Sequence, residues 1–425
     1  MAQFGGYSGP GVMSNGAGTI GQRSGEQLDL RFYADVMGIY DNGLQPFSVN
    51  PQGQLVTVNG LYGEQVDLGL YGQHQWKQAL LGLDYHGNFY HYDNAPTYDG
   101  TSQFLMLGYS YQKSRRLAFN FRGTGGTSSI GLGSPGFYGV TSPGNVVGQP
   151  TALLFDSRIY YVQGGANVTF ILTPRTTITV GGDGYATRYQ VAGLIGMDGY
   201  TLRGSIQHRL SRTKTLGVTY QHLHFDFVKQ YGQSDMNMLE GFFATSIGKR
   251  WTFSLSAGGF QTEVQGVQQI TLSPVIAALL GQNVGLQTFY TENFYPSGEA
   301  SLSAKLKKSL VTATYAKMVV PGNGVYLTSR QDSGSLSYSY TGIRKWNLGV
   351  SGGYYKIGTI GQGLQGYSTY TGGAGFTYNL AKAFHVVGRY DYRHQEISAA
   401  SYRLDGSRVS LGLSFSPGNL PLSLW

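Results

Sequence analysis

The chain has no cysteine. That excludes a disulfide scaffold, a thiolate zinc site, a cysteine nucleophile and an iron–sulfur cluster. Charge is scarce: Asp, Glu, Lys and Arg make up 12% of the residues, about half the share in an ordinary soluble domain. Long apolar runs are missing as well. A membrane-crossing helix needs about 20 apolar residues in succession, and the longest run spans only residues 275–280. The opening, Met1-Ala2-Gln3-Phe4-Gly5-Gly6, lacks the basic start and apolar stretch of a secretory leader. The features below nevertheless point to export, so a leader removed from this numbering is expected. Basic clusters that grip nucleic acid are absent, the longest being pairs such as Arg115-Arg116 and Lys307-Lys308. The net charge of +8 therefore reads as a mildly basic surface, biased at most toward anionic partners.

What is present is glycine and aromatic side chain: 65 Gly, 33 Tyr and 21 Phe in 425 residues. Glycine has no three-residue period, so collagen is out. With 41% hydrophobic residues the chain can bury too much surface to remain disordered. Residues 1–25 are Gly- and Ser-rich without periodicity and read as a flexible N-terminal segment. From residue 26 to 425 a two-residue alternation takes over, the pattern of strands with two unlike faces. Val409-Ser410-Leu411-Gly412-Leu413-Ser414-Phe415 is a clean example. No helical stripe of similar length occurs, although Pro274–Gly281 could make one or two turns.

Short turns carrying Lys or Arg recur, as in Trp76-Lys77-Gln78, Lys113-Ser114-Arg115, Thr173-Pro174-Arg175 and Gly248-Lys249-Arg250. There are eight of them along the chain. Between them lie nine longer, Gly-, Pro-, Asn- and Asp-rich loops, at residues 41–60, 93–100, 128–156, 190–199, 228–234, 265–296, 321–328, 358–365 and 396–401. Eight turns and nine loops make 17 connections and so 18 strands in an up-and-down meander. The repeat is a hairpin and not a solenoid unit.

Too few charges exist to coat the outside of so many strands in water. One face is Leu, Val, Phe and Tyr, and the other is mostly Ser, Thr, Gly, Asn and Gln. This inverse arrangement suits lipid outside and a mildly polar lumen inside. In lipid every backbone amide needs a partner in the protein, so the sheet must close. Aromatic residues near strand ends, at Phe89-Tyr90-His91-Tyr92, Tyr109-Ser110-Tyr111, Trp251 and Trp346, suit interfacial girdles. A soluble sandwich or propeller would leave both the low charge and the apolar outer faces unexplained.

On these features the chain resembles the large Gram-negative outer-membrane β-barrels of the porin-like class, over residues 26–425. The unit Gly248-Lys249-Arg250-Trp251-Thr252-Phe253-Ser254-Leu255 is similar to that class's periplasmic turn and upstrand. The terminal aromatic, Trp425, is similar to the signal read by the barrel-assembly machinery, although Ser416-Pro417-Gly418-Asn419-Leu420-Pro421 should interrupt the last strand. The resemblance implies an all-β transmembrane antiparallel barrel in the bacterial outer membrane. Its short turns would be periplasmic and its long loops extracellular.

Chemistry-bearing motifs dissolve on inspection. Residues 16–21 and 131–136 match G-x-G-x-x-G, but neither follows a strand and opens a helix. Gly349-Val350-Ser351-Gly352-Gly353 matches G-x-S-x-G, yet Ser351 lies inside an alternating strand and not on a strand-to-helix elbow. His222, His224 and Asp226 share one strand face and form a weak metal candidate. They read equally as a polar lumen or rim patch, with Leu223, Phe225 and Phe227 outward. His86 and His91 fall on opposite faces. No catalytic constellation and no cofactor is expected.

By parity with apolar neighbours, Arg116, Arg122, Arg203, Arg209, Lys305, Arg389 and Arg393 should line the pore, with Asp84, Glu299 and Asp391. Charge rings set ion selectivity in pores, whereas paired charges merely fill the lumen. The apolar stretch in loop 265–296 should pack inward or against a neighbour. At 18 strands an aqueous lumen is expected. The leading reading is a passive channel for small solutes, not an enzyme. An exit barrel for polysaccharide export or secretion is the alternative, and a surface structural or adhesion barrel comes third. The expected partners are outer-membrane lipid, barrel-assembly machinery, small solutes or polysaccharide, and a periplasmic partner or further copies of the chain. Nucleic acid is not among them.

Overall fold

Alternation in the sequence becomes strand after strand because each one can bury one face only by pairing with its neighbours. The computed structural model describes residues 29–42, 48–49, 55–56, 60–93, 99–129, 158–191, 193–228, 230–321, 327–360, 366–397, 402–417 and 419–421. The N-terminal segment 1–25, both G-x-G-x-x-G matches, most of loop 128–156 and Trp425 lie outside the described residues. Eighteen long strands run from Asp29–Asp41 to Tyr402–Phe415, each antiparallel to its sequence neighbours. The sheet closes where Asp29–Asp41 pairs with Tyr402–Phe415, in the register Ala34↔Phe415 to Asp41↔Arg408. A three-residue strand, Asn419–Pro421, resumes beyond the break at Ser416 and Pro417 and pairs with Asp29, Leu30 and Arg31. All eight tight turns expected from the sequence join consecutive strands at one end of the barrel.

The two faces separate as lipid and lumen require. Val36, Leu107, Val162, Val180, Leu202, Val218, Leu239, Leu336, Val350, Leu411 and Leu413 point outward and are exposed. Aromatic rings flank this band. Phe89, Tyr160, Tyr200, Tyr220 and Tyr370 stand toward the loop end, and Tyr109, Phe170, Trp251, Tyr338, Trp346 and Phe384 toward the turn end. This is the outer surface of a membrane-spanning β-barrel. No helix among the described residues is long and apolar enough to cross a membrane.

Segment 265–296 is not the long loop expected. It is largely strand: Trp251–Thr271 and Val284–Lys305 are paired from Trp251↔Ala304 to Thr271↔Val284. The alternation continues through Gln and Thr, and polar residues had suggested a loop. Only residues 272–283 connect the two strands, and they contain the short helix Pro274–Leu280. Gly281 ends that helix in the left-handed conformation, with φ 67°, which glycine adopts at little cost. At the apolar tip Val275 and Leu279 do not pack inward: Val275 is 71% exposed and Leu279 80%.

This long hairpin leaves the barrel before it ends. Val284–Lys305 pairs with Ser309–Pro321 only from Lys305↔Leu310 up to Gly298↔Lys317. Above that fork the neighbouring walls close in behind it. Ser234, on Gly232–Ile247, hydrogen-bonds Thr328, which begins Thr328–Tyr340. Three further strands separate these two in the sheet order, so the bond is a shortcut across the mouth.

Candidate functional site in the lumen

The site is built from strand parity. On Leu117–Ser129 the Phe121 ring is outward, so Arg122 points inward; on Met197–Arg209 the outward Leu202 turns Arg203 inward. Both converge on Asp183 of Thr176–Tyr189. Arg122 Nη2 lies 2.9 Å from Asp183 Oδ1, and Arg203 Nη2 lies 2.8 Å from Asp183 Oδ2. Arg203 Nε also donates to Asn167 Oδ1 at 3.1 Å. Asp183 is fully buried and serves as the hub of the cluster.

A second polar cluster occupies the arc around the closure seam. Arg408 donates to Gln65 Oε1, Gln65 donates to Asp67 at 2.8 Å, and Asn88 also donates to Asp67. On Phe384–Ile397, Arg389 Nε lies 2.7 Å from Asp391 Oδ2, and Arg393 is buried two residues further along the same face. Asp84 is buried with His86 Nδ1 at 3.4 Å. His86 is inward and His91 outward, on opposite faces as read from the sequence.

Three of the expected lining residues lie outside these clusters. Arg116 lies in a tight turn, exposed, because Leu117–Ser129 begins one residue later. Arg209 and Lys305 have inward parity but are the exposed last residues of their strands, at the turn-end opening. Glu299 is inward beside Glu240. Sequence reading missed Asp35, Asp41, Asp67, Asp183, Glu240 and Arg408. Parity with Val36, Leu68, Leu239 and Val409 could have found four of them, whereas Asp183 stands among glycines that mark no face. The missed acids offset the arginines, so the wall carries both signs and not an excess of positive charge.

The largest correction concerns Leu223, Phe225 and Phe227. They were expected outward; they are inward and buried, while Leu216, Val218 and Tyr220 define the outer face. His222, His224 and Asp226 continue that outer face beyond the lipid band. His224 Nδ1 is 2.7 Å from Asp235, and its Nε2 is 3.2 Å from Asp226. Among the described residues no group of three or more His, Asp or Glu side chains is disposed to hold a metal. The alternation never breaks. What changes with height is which face is apolar, because water replaces lipid outside the rim. Asp99 shows the same wet surface. What burial it has pushes its carboxyl up, but the Tyr92 N–H at 2.8 Å and the His91 ring at 2.6 Å outweigh this. They hold the carboxyl below the usual aspartate range.

Inside the loop-end mouth, Leu223, Phe225, Phe227, Met236, Met238, Phe260 and Val264 pack with Met318, Val319, Val320, Leu327 and Ile360. They unite the two walls that the Ser234–Thr328 bond draws together. Toward the turn end the inward side chains are open: Gln207, Arg209, Ser246, Ser337 and Ser351 are all exposed. Ser351 sits in mid-strand on Trp346–Thr359, facing the lumen and not on an elbow. The lumen is therefore a funnel, wide and wet at the turn end and packed at the loop end.

No protein-family model and no curated protein matches the chain. Among solved structures it is similar to Pseudomonas aeruginosa OccK2 (OpdF), at 11% identity over 92% of this chain and 99% of that one, with a TM-score of 0.43. It is also similar to P. aeruginosa OpdK, solved with vanillate, at 12% identity over 91% and 98%, with a TM-score of 0.43. A BenF-like porin from Pseudomonas fluorescens Pf-5 aligns at 9% identity over 92% and 98%, with a TM-score of 0.44.

Proposed function

We propose that the chain is an outer-membrane channel that passes small solutes passively, with its turns in the periplasm and its loops outside. The funnel carries this reading: a membrane-spanning barrel whose lumen is wet at one end and narrows past charged clusters to a packed mouth. Selection would act at two places. The apolar mouth excludes by size and disfavours strongly hydrated solutes, which would have to shed water to pass. The Arg122–Asp183–Arg203 cluster offers guanidinium donors to an anionic solute and a carboxylate acceptor to a polar one. Because acids and bases are both distributed along the wall, bulk ion preference is weak.

Single-channel conductance in planar bilayers under a salt gradient tests this. Small, discrete conductance with weak ion preference is expected. A correctly folded barrel that never conducts would overturn the reading and favour an export barrel whose mouth is opened by a partner.

A further inference from the structure

The fork where the long hairpin leaves the wall creates an unusual group of side chains. Glu240 on Gly232–Ile247, Ser256 on Trp251–Thr271, and Ser297 and Glu299 on Val284–Lys305 all face the lumen. Their register brings them together. Ser256 stands opposite Glu299, and Gly258 stands opposite both Glu240 and Ser297. Glu240 and Ser297 are thus separated by one strand, a Cα spacing of about 10 Å, with no side chain between them. Gly258 is exposed to the lumen. A Cβ at Gly258 would come within 2.7 Å of the Glu240 Cα, so the seat stays bare.

Three of these four carry a buried oxygen without a hydrogen-bond partner, and the three lie together. Ser297 is 6% exposed, and its Oγ has no hydrogen-bond partner; the same holds for Ser256 Oγ and Glu299 Oε2. Glu240 is also 6% exposed. No Lys or Arg among the described residues pairs with either glutamate; Lys317, the nearest in register, stands opposite Gly298 on the outer face and lies 3.8 Å from Asp332. Two buried carboxylates side by side without a countercharge are costly. Two unpartnered hydroxyls aimed at the same seat add to that cost. Met238, Phe260 and Tyr295 lie above the seat as part of the apolar mouth or packed against it.

We infer that Glu240, Ser256, Ser297 and Glu299 form an oxygen-lined site for a hard divalent cation, seated over Gly258 where the hairpin leaves the barrel. Two carboxylates and two hydroxyls offer about six oxygens to an ion that takes roughly six to eight in irregular geometry, which suits Ca2+ better than the strictly octahedral Mg2+. The ion neutralises both carboxylates and joins Gly232–Ile247 to Val284–Lys305 at the level where the latter parts from Ser309–Pro321. This inference needs the barrel but not the transport reading, since a barrel that fails to conduct would still bind.

Terbium titration of the folded protein in detergent tests it. Tb3+ replaces Ca2+ at oxygen sites, and Tyr295, two residues from Ser297 on the same face, sensitises its emission. Wild-type protein should show saturable emission displaced by Ca2+ far more readily than by Mg2+. Glu240→Gln with Glu299→Gln should weaken Ca2+ competition roughly tenfold or more. Ser297→Ala should weaken it less. Asp226→Asn with Asp235→Asn, on the outer surface, should leave it unchanged. Heat-modified gel migration checks that each variant is folded, and Ser297→Ala carries the test if the double variant is not. Equal Ca2+ competition in wild type and in the folded lumen variants would overturn the inference. So would emission displaced by a quaternary ammonium ion but not by Ca2+, which would indicate a subsite for organic cations.

Discussion

Asp183 illustrates how one side chain can organise a lumen. It is buried between two guanidinium groups and balances both. Removing one member of a buried charged group leaves the others uncompensated and typically costs about 3–5 kcal/mol. Asp183→Ala is expected to lower the denaturant midpoint accordingly. Asp183→Asn should fold more readily and shift the channel toward anions, because Arg122 and Arg203 then face the lumen with less countercharge. The reversal potential in a salt gradient reads that shift. A substitution with no effect on either quantity would show that the cluster only fills space. Arg122 and Arg203 were legible from parity because bulky apolar neighbours mark the lipid face. Asp183 was not, since glycine on either side marks nothing.

Among the elements, the long hairpin departs furthest from expectation. Only its tip, from Val267↔Thr288 to Thr271↔Val284, pairs with itself alone, and one edge of Val284–Lys305 has no neighbouring strand above Gly298 among the described residues. Exposed edges of this length are unusual unless short, twisted or charged. Val275 and Leu279 at the tip contribute little to the packing of the barrel, because both are largely exposed. Val275→Ser with Leu279→Ser is therefore expected to change unfolding free energy by no more than about 0.5 kcal/mol and to leave conductance intact. A marked loss of thermal stability in the heat-modification assay would mean that the tip packs against something. The short helix was readable from Pro274 and Gly281, which start and stop it. The paired strands on either side were not, because Gln, Thr, Glu and Gly interrupt the apolar positions there, and only register with a partner reveals them.

For the whole molecule, the decisive feature is that the lumen narrows toward the loops. Two walls converge behind the departing hairpin and bury a methionine- and phenylalanine-rich cluster between them. Phe260 is 1% exposed in that cluster. Phe260→Ala should cost about 3–5 kcal/mol as a buried truncation and should widen the mouth, so conductance rises while stability falls. Lower conductance in a folded variant would place the narrowest point elsewhere. The same convergence brings Glu240 and Glu299 to a seat with no countercharge, so the mouth and the cation site have a common origin.

The sequence by itself determined the strand count, the turn positions, the lipid-facing band and the closure of the sheet. These follow from local alternation, turn chemistry and the demand that every amide in lipid be paired. The tertiary structure alone decided which face is apolar near the rim, where Leu223, Phe225 and Phe227 turn inward to a neighbouring wall and His224 turns outward to water. It also decided the fork at Gly298 and the meeting of Ser234 with Thr328. The physical reason is that alternation specifies two unlike faces but not what lies beyond each. Past the lipid band that depends on which distant strands converge, and convergence is a property of the closed barrel as a whole.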